Sequence, residues 1–69
     1  MKISARNQIA GTVVGVVKGA TTAHVTVDIG GGNVVTAAIT NESANELNLV
    51  PGAVVTVIVK SSDVMIGVD

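Results

Sequence analysis

No phenylalanine, tryptophan, tyrosine or cysteine occurs anywhere in this chain of 69 residues, although 48% of it is hydrophobic. Its core has to be assembled mainly from valine, isoleucine and alanine, whose side chains remove less area from water than aromatic rings do. A domain this short buries only about 60% of the surface its unfolded chain exposes. Small domains usually make good the deficit with disulfides, a bound metal or further subunits. Here cysteine is absent, His24 is the single histidine and the acids number five. Subunits remain, and the composition predicts an oligomer with a largely apolar β-interface.

The same composition removes several classes of function. Without aromatic rings there is no platform on which single-stranded bases stack. Four basic residues against five acidic ones, a net charge of −1, provide no cationic stripe for a phosphate backbone, so nucleic acid is not an expected partner. Thiolate chemistry and thiolate–metal sites are excluded, and one histidine excludes a histidine-rich metal site within a chain. Low charge with many apolar residues argues against disorder. Met1, Lys2 and Ile3 run directly into polar Ser4, Arg6, Asn7 and Gln8, unlike a signal peptide. No apolar run reaches the length of about 18 residues needed to span a bilayer. A cytoplasmic protein with no membrane partner is the expectation.

Val, Ile and Thr dominate the chain and fit strands. Gln8–Val17 reads as a long strand, with Gly11 and Gly15 marking a bulge or a barrel bend. Ala23–Ile29 alternates, with Ala23, Val25, Val27 and Ile29 on one face and His24, Thr26 and Asp28 on the other. Gly30–Asn33 is a turn, and Val34–Ile39 completes a hairpin. Asn41–Asn48 reads as a short helix, with Asn41 as N-cap or Ser43 and Glu46 as a capping box. Ala53–Lys60 is a strand with apolar residues on both faces, and Asp63–Val68 is a last strand that places Met65 in the core. One short helix between strands three and four of five is the arrangement of an OB-type barrel. The predicted fold is all-β, a small five-stranded OB-like barrel formed by residues 1–69 as one domain.

Two clusters have chemistry in common. Ser4-Ala5-Arg6-Asn7 supplies a hydroxyl, a guanidinium fork and the Asn7 backbone N–H, a set suited to a small oxyanion. Taken singly, it also reads as a solvated N-terminal segment. Lys60-Ser61-Ser62 supplies a cation and two hydroxyls, and singly reads as a polar turn. Arg6 and Lys60 are half of the four basic residues, and each lies beside serines. Asn41-Glu42-Ser43-Ala44 opens the helix, where unpaired N–H groups attract anions, though simple capping also accounts for Asn41. Lys18-Gly19-Ala20 reads as a strand connection whose glycine N–H can meet a ligand or a neighbouring subunit. His24 reads as a surface or interface residue. The acids are scattered and one histidine supports no triad, so no enzyme is expected. Binding needs only donors, and donors are what the chain has.

Ser4-Ala5-Arg6-Asn7-Gln8, Gly11, Gly19, the glycine turn, Ile39-Thr40 with Glu42-Ser43-Ala44, Leu47, Gly52 and Lys60-Ser61 together resemble the molbindins. These are small molybdate- or tungstate-binding proteins built from a single Mop (TOBE-type) domain, and the resemblance covers essentially the whole chain. It implies an OB-like barrel assembled as a homohexamer, a trimer of dimers, with molybdate or tungstate held between subunits for intracellular storage or buffering. By motif it implies Ser4, Arg6, Asn7, Lys60 and Ser61 as oxyanion ligands, with Ser43 and Ala44 contributed by a neighbouring subunit. No side chain is implied as a direct metal ligand, since the metal is bound as its oxyanion. For a second class of site near a threefold axis, Lys18, Gly19, Ala20, Thr22 and His24 are the expected residues, without motif support. The alternatives are a molybdopterin-binding module, for which no aromatic residue is available to stack the pterin, and a purely structural oligomerisation domain.

Overall fold

Four runs rich in Val, Ile and Thr form the four strands of the computed structural model, which describes residues 1–69. They are β1 (Asn7–Lys18), β2 (Thr22–Gly30), β3 (Asn33–Thr40) and β4 (Val54–Val59), with one helix, α1 (Asn41–Glu46), between β3 and β4. Every pairing is antiparallel and the spatial order is β3-β2-β1-β4. The alternation of β2 is the one its sequence predicts. Ala23, Val25 and Val27 are buried and Ile29 is half-buried, while His24 and Asp28 are exposed. Val13, Val25 and Val27 form the centre of the core, and Val16, Ile29, Ile39, Leu49, Val55 and Val57 pack around it.

β1 organises the sheet because it is shared. Residues 7–12 pair with β4 and residues 12–18 with β2. The pairing with β2 slips between Val13 and Gly15, the bulge that glycine in this strand foretells, and a bulge bends a strand and increases its twist. At Gly11 the strand passes close to β2: a Cβ there would lie 2.6 Å from Val27 Cγ1 and 2.8 Å from the Asp28 carbonyl oxygen. The β2–β3 turn has positive φ at both Gly31 (64°) and Gly32 (78°), as a two-residue type I′ hairpin requires.

The helix is capped one residue earlier than expected. Thr40, still opposite Thr22 in the β3 ladder, is extended, and its Oγ1 accepts the Ser43 N–H at 3.0 Å. Asn41 instead ties the helix to the β1–β2 turn. Its N–H donates to the Thr21 carbonyl (2.9 Å) and its Nδ2 to the Gly19 carbonyl (3.0 Å). The helix ends at Glu46 rather than Asn48, whose φ of 54° is left-handed, a geometry that closes helices.

The predicted fifth strand, Asp63–Val68, is not formed. Ser61–Asp63 is a single 3-10 turn, in which the Asp63 N–H donates to the Lys60 carbonyl and the Val64 N–H to that of Ser61. Residues 64–69 then run exposed with no ladder partner. Their composition favours a strand, but a strand exists only against an edge that pairs with it, and no edge of this chain lies alongside. Met65, expected in the core, is 92% exposed. The OB-like sheet is therefore four-stranded and open between β3 and β4. On the outer face of β4, Val54 is 87% exposed, so the two-faced apolar pattern of that strand leaves apolar surface on the outside. No helix is long and apolar enough to cross a membrane.

Candidate functional site

The two basic clusters, 54 positions apart at Arg6 and Lys60, meet because of one register. Asn7 opens β1 and lies opposite Val59, which closes β4, so the residues just outside the ladder are brought side by side. Ile3, Ser4, Ala5, Arg6, Lys60, Ser61 and Ser62 line one open pocket of about 460 Å³. It contains two cations and three hydroxyls and no carboxylate. None of the side-chain hydrogen bonds of the chain uses Ser4, Arg6, Lys60, Ser61 or Ser62. All of these donors are therefore available to a ligand.

Two neighbouring side chains hold the pocket's shape. Asn7 Nδ2 donates to the Val59 carbonyl at 3.1 Å, fastening the start of β1 to the end of β4. The Asn7 side chain thus braces the site from behind. Gln8 Nε2 donates to the Ala5 carbonyl at 2.7 Å, which fixes the bend carrying Ser4 and Arg6. Sequence reasoning missed this role of Gln8, because a side chain reaching back three residues has no signature until the strand start is known.

The structure does not bring Ser43 and Ala44 to this pocket. The Ser43 hydroxyl accepts from Thr40 Oγ1 at 2.8 Å and keeps its own proton to donate, whereas Ala44 is buried. The N–H groups of Asn41 and Ser43 are already engaged, so the helix start offers fewer free donors than its sequence implies. Lys18 and Gly19 stand beside α1. Lys18 Nζ donates to Asn45 Oδ1, and the Gly19 carbonyl accepts from Asn41. Ala20 completes the turn, and Thr22 and His24 are exposed on β2. The residues expected at a neighbour's contribution and those expected at a second site thus form one cluster, at the far end of β1 from Arg6. Lys18, which closes that strand, is twelve residues beyond Arg6. No three of the His, Asp and Glu side chains come together to hold a metal ion.

Fold and pocket together define a small OB-like β-domain with a cationic, hydroxyl-lined pocket where its first and last strands meet. The chain belongs to the TOBE domain family, whose sequence profile matches residues 3–66. It is 53% identical over 66 residues to molybdenum-pterin-binding protein 2 of Clostridium pasteurianum, covering 96% of this chain and 97% of that one. The structure of MopII from Clostridium pasteurianum superposes with a TM-score of 0.90 at 51% identity, over 97% of this chain and 100% of the other. The cytoplasmic molybdate-binding protein ModG, in a form with molybdate bound, superposes with a TM-score of 0.94 at 40% identity. It matches the whole of this chain, which spans 49% of that protein.

Proposed function

We propose that this chain binds molybdate or tungstate reversibly, without catalysing a reaction, at sites between the subunits of an oligomer. The observation that carries the reading is the convergence of Arg6 and Lys60, with Ser4, Ser61 and Ser62, on one pocket whose donors are all free. Two cations offset the two charges of a tetrahedral dianion, and charge-assisted hydrogen bonds are the stronger kind. Ser4 and Ser61 each donate a hydroxyl, the Asn7 backbone N–H joins them, and Ser43 and Ala44 of a neighbouring copy close the site. Since these lie at the opposite end of β1 from Arg6 in any one chain, only a second copy can supply them. Sulfate has the same charge and shape, so cavity size sets the selectivity. A homohexamer, a trimer of dimers, storing or buffering the oxyanion inside the cell is the assembly and role that go with this reading. The partners on this reading are further copies of the chain and the anion, and the Lys18–Ala20 turn with Thr22 and His24 is the place for a second class of site.

A ligand that binds only the assembled protein stabilises it by mass action, by about 2.7 kcal/mol at a hundredfold excess over Kd. Molybdate is therefore expected to raise the Tm, with sulfate at the same concentration doing so far less. An unchanged Tm at saturating molybdate would count against interfacial sites. Native mass spectrometry is the direct test. A hexamer that gains several molybdates and no comparable sulfate supports the reading, and one that takes up neither ion sinks it.

The names of the curated relatives favour a second reading, a molybdenum–pterin ligand. No Phe, Tyr or Trp is present to stack on a pterin ring. Dialysis against a pterin and, separately, against molybdate distinguishes the two, and retention of pterin alone would overturn the oxyanion reading.

A further inference from the structure

Ser4 and Arg6 belong to a segment that very little holds. β1 begins at Asn7, so residues 1–6 lie outside the ladder, and none of their backbone groups bonds to another backbone group. Their side chains make no hydrogen bond either. The single hydrogen bond on the whole segment is the one that the Ala5 carbonyl accepts from Gln8 Nε2, at 2.7 Å. It falls on the residue between Ser4 and Arg6, the two polar side chains that this segment brings to the pocket.

The anchor of that bond is fixed. Gln8 lies opposite Ile58 in the β1–β4 ladder, and its amide reaches back three residues from there. Its side chain is exposed, takes no part in the core and does not line the pocket. It therefore neither fills the interior nor meets an anion. Its bond acts on one peptide unit. The Ala5–Arg6 peptide is trans and planar, so turning its carbonyl toward Gln8 turns the Arg6 N–H the opposite way. That N–H has no partner within the chain. Fixing this plane fixes the direction of the chain toward Ser4 on one side and the starting point of the Arg6 side chain on the other.

We propose that Gln8 is a positioning residue for the anion, holding Ser4 and Arg6 in the arrangement the ligand needs before the ligand arrives. This rests on the oxyanion reading and deepens it. A site whose competent arrangement is only fractionally populated binds more weakly by that fraction. Loss of one neutral hydrogen bond lowers the population of the bend, and with it the affinity, by roughly 3- to 10-fold.

Gln8→Met, which keeps the length of the side chain and removes its donor, tests the proposal. The ligand-free Tm is expected to stay within a few degrees, as at other surface positions, while Kd for molybdate in isothermal titration rises roughly 3- to 10-fold. Added to Arg6→Ala, the same change is expected to cost distinctly less. Added to Lys60→Ala, whose lost cation lies on the other segment, it keeps its full effect. Equal losses on the two backgrounds would show that Gln8 does not act through Arg6, and would overturn the proposal. A second measurement needs no ligand. In Gln8→Met the NMR order parameters of the Ala5 and Arg6 amides are expected to fall from about 0.85 to below about 0.6, with those of β1 and β4 unchanged. Order parameters that do not fall would overturn the proposal. A wild-type chain that binds molybdate no better than Gln8→Met overturns this inference alone. A wild-type chain that takes up no molybdate overturns the oxyanion reading and this inference with it.

Discussion

Arg6→Ala is expected to weaken molybdate binding roughly 10- to 100-fold. A hydrogen bond to a charged group contributes about 1.5–3 kcal/mol, and each 1.4 kcal/mol is a factor of about ten in Kd. The guanidinium is exposed in the single chain and makes no hydrogen bond within it. Its removal therefore leaves the ligand-free protein within a few degrees of its original Tm, as is usual for surface positions. Lys60→Ala belongs to the same class. Arg6→Lys keeps the charge but loses the planar fork, so it is expected to fall between the wild type and Arg6→Ala. Isothermal titration with molybdate, and with sulfate as control, checks the series. Affinities unchanged in both Arg6→Ala and Lys60→Ala would remove the pocket from the function.

The second large effect concerns the fold. Gly11→Ala would place a methyl group 2.6 Å from Val27 Cγ1 and 2.8 Å from the Asp28 carbonyl oxygen. The carbonyl belongs to the neighbouring strand and cannot turn aside as a flexible side chain can. Overpacking of this kind costs about 1–3 kcal/mol. For a domain of this size that corresponds to a fall in Tm of roughly 5–20 °C. Gly15→Ala, four residues along the same strand, is the control. Its added methyl would meet Thr26 Oγ1 at 3.8 Å, an ordinary contact, and its φ is not positive. A substitution that fits gains about 0.4–1 kcal/mol by restricting the unfolded chain. Thermal melts of the two variants should move in opposite directions. Equal shifts would mean that the close approach of β1 and β2 at Gly11 has no special weight.

Most of the architecture was legible in the residues. The alternation of Ala23–Ile29 and the glycines after it reproduce β2 and the hairpin turn to within a residue or two, because period and turn chemistry are local. The helix start was misplaced by one residue for a nonlocal reason. Thr40 and Asn41 are both good caps in isolation, and it is the pairing of Thr40 with Thr22 that leaves Thr40 extended and able to cap. The last strand was misread for a similar reason. Val64–Val68 carries the right pattern, but pattern does not say which edge receives it. In the pocket, Ser4, Arg6, Lys60 and Ser61 were each visible as donors. Their meeting depends on the pairing of Asn7 with Val59, which the sequence does not display. Lys18, named for a second site, has a partner within the chain that the sequence did not reveal. Asn45, which engages it, sits on a helix whose docking could not be read beforehand.

The length of β1 has a consequence for how tightly an anion is held at different dilutions. One strand separates Arg6 from the helix tip, so under the proposed arrangement every copy donates half of one site and half of another. A lone copy then owns no complete site at all. Apparent affinity becomes a property of protein abundance as well as of the pocket: a cell that makes more of the chain sharpens its grip on each anion, and dilution releases the cargo without any change in the anion itself.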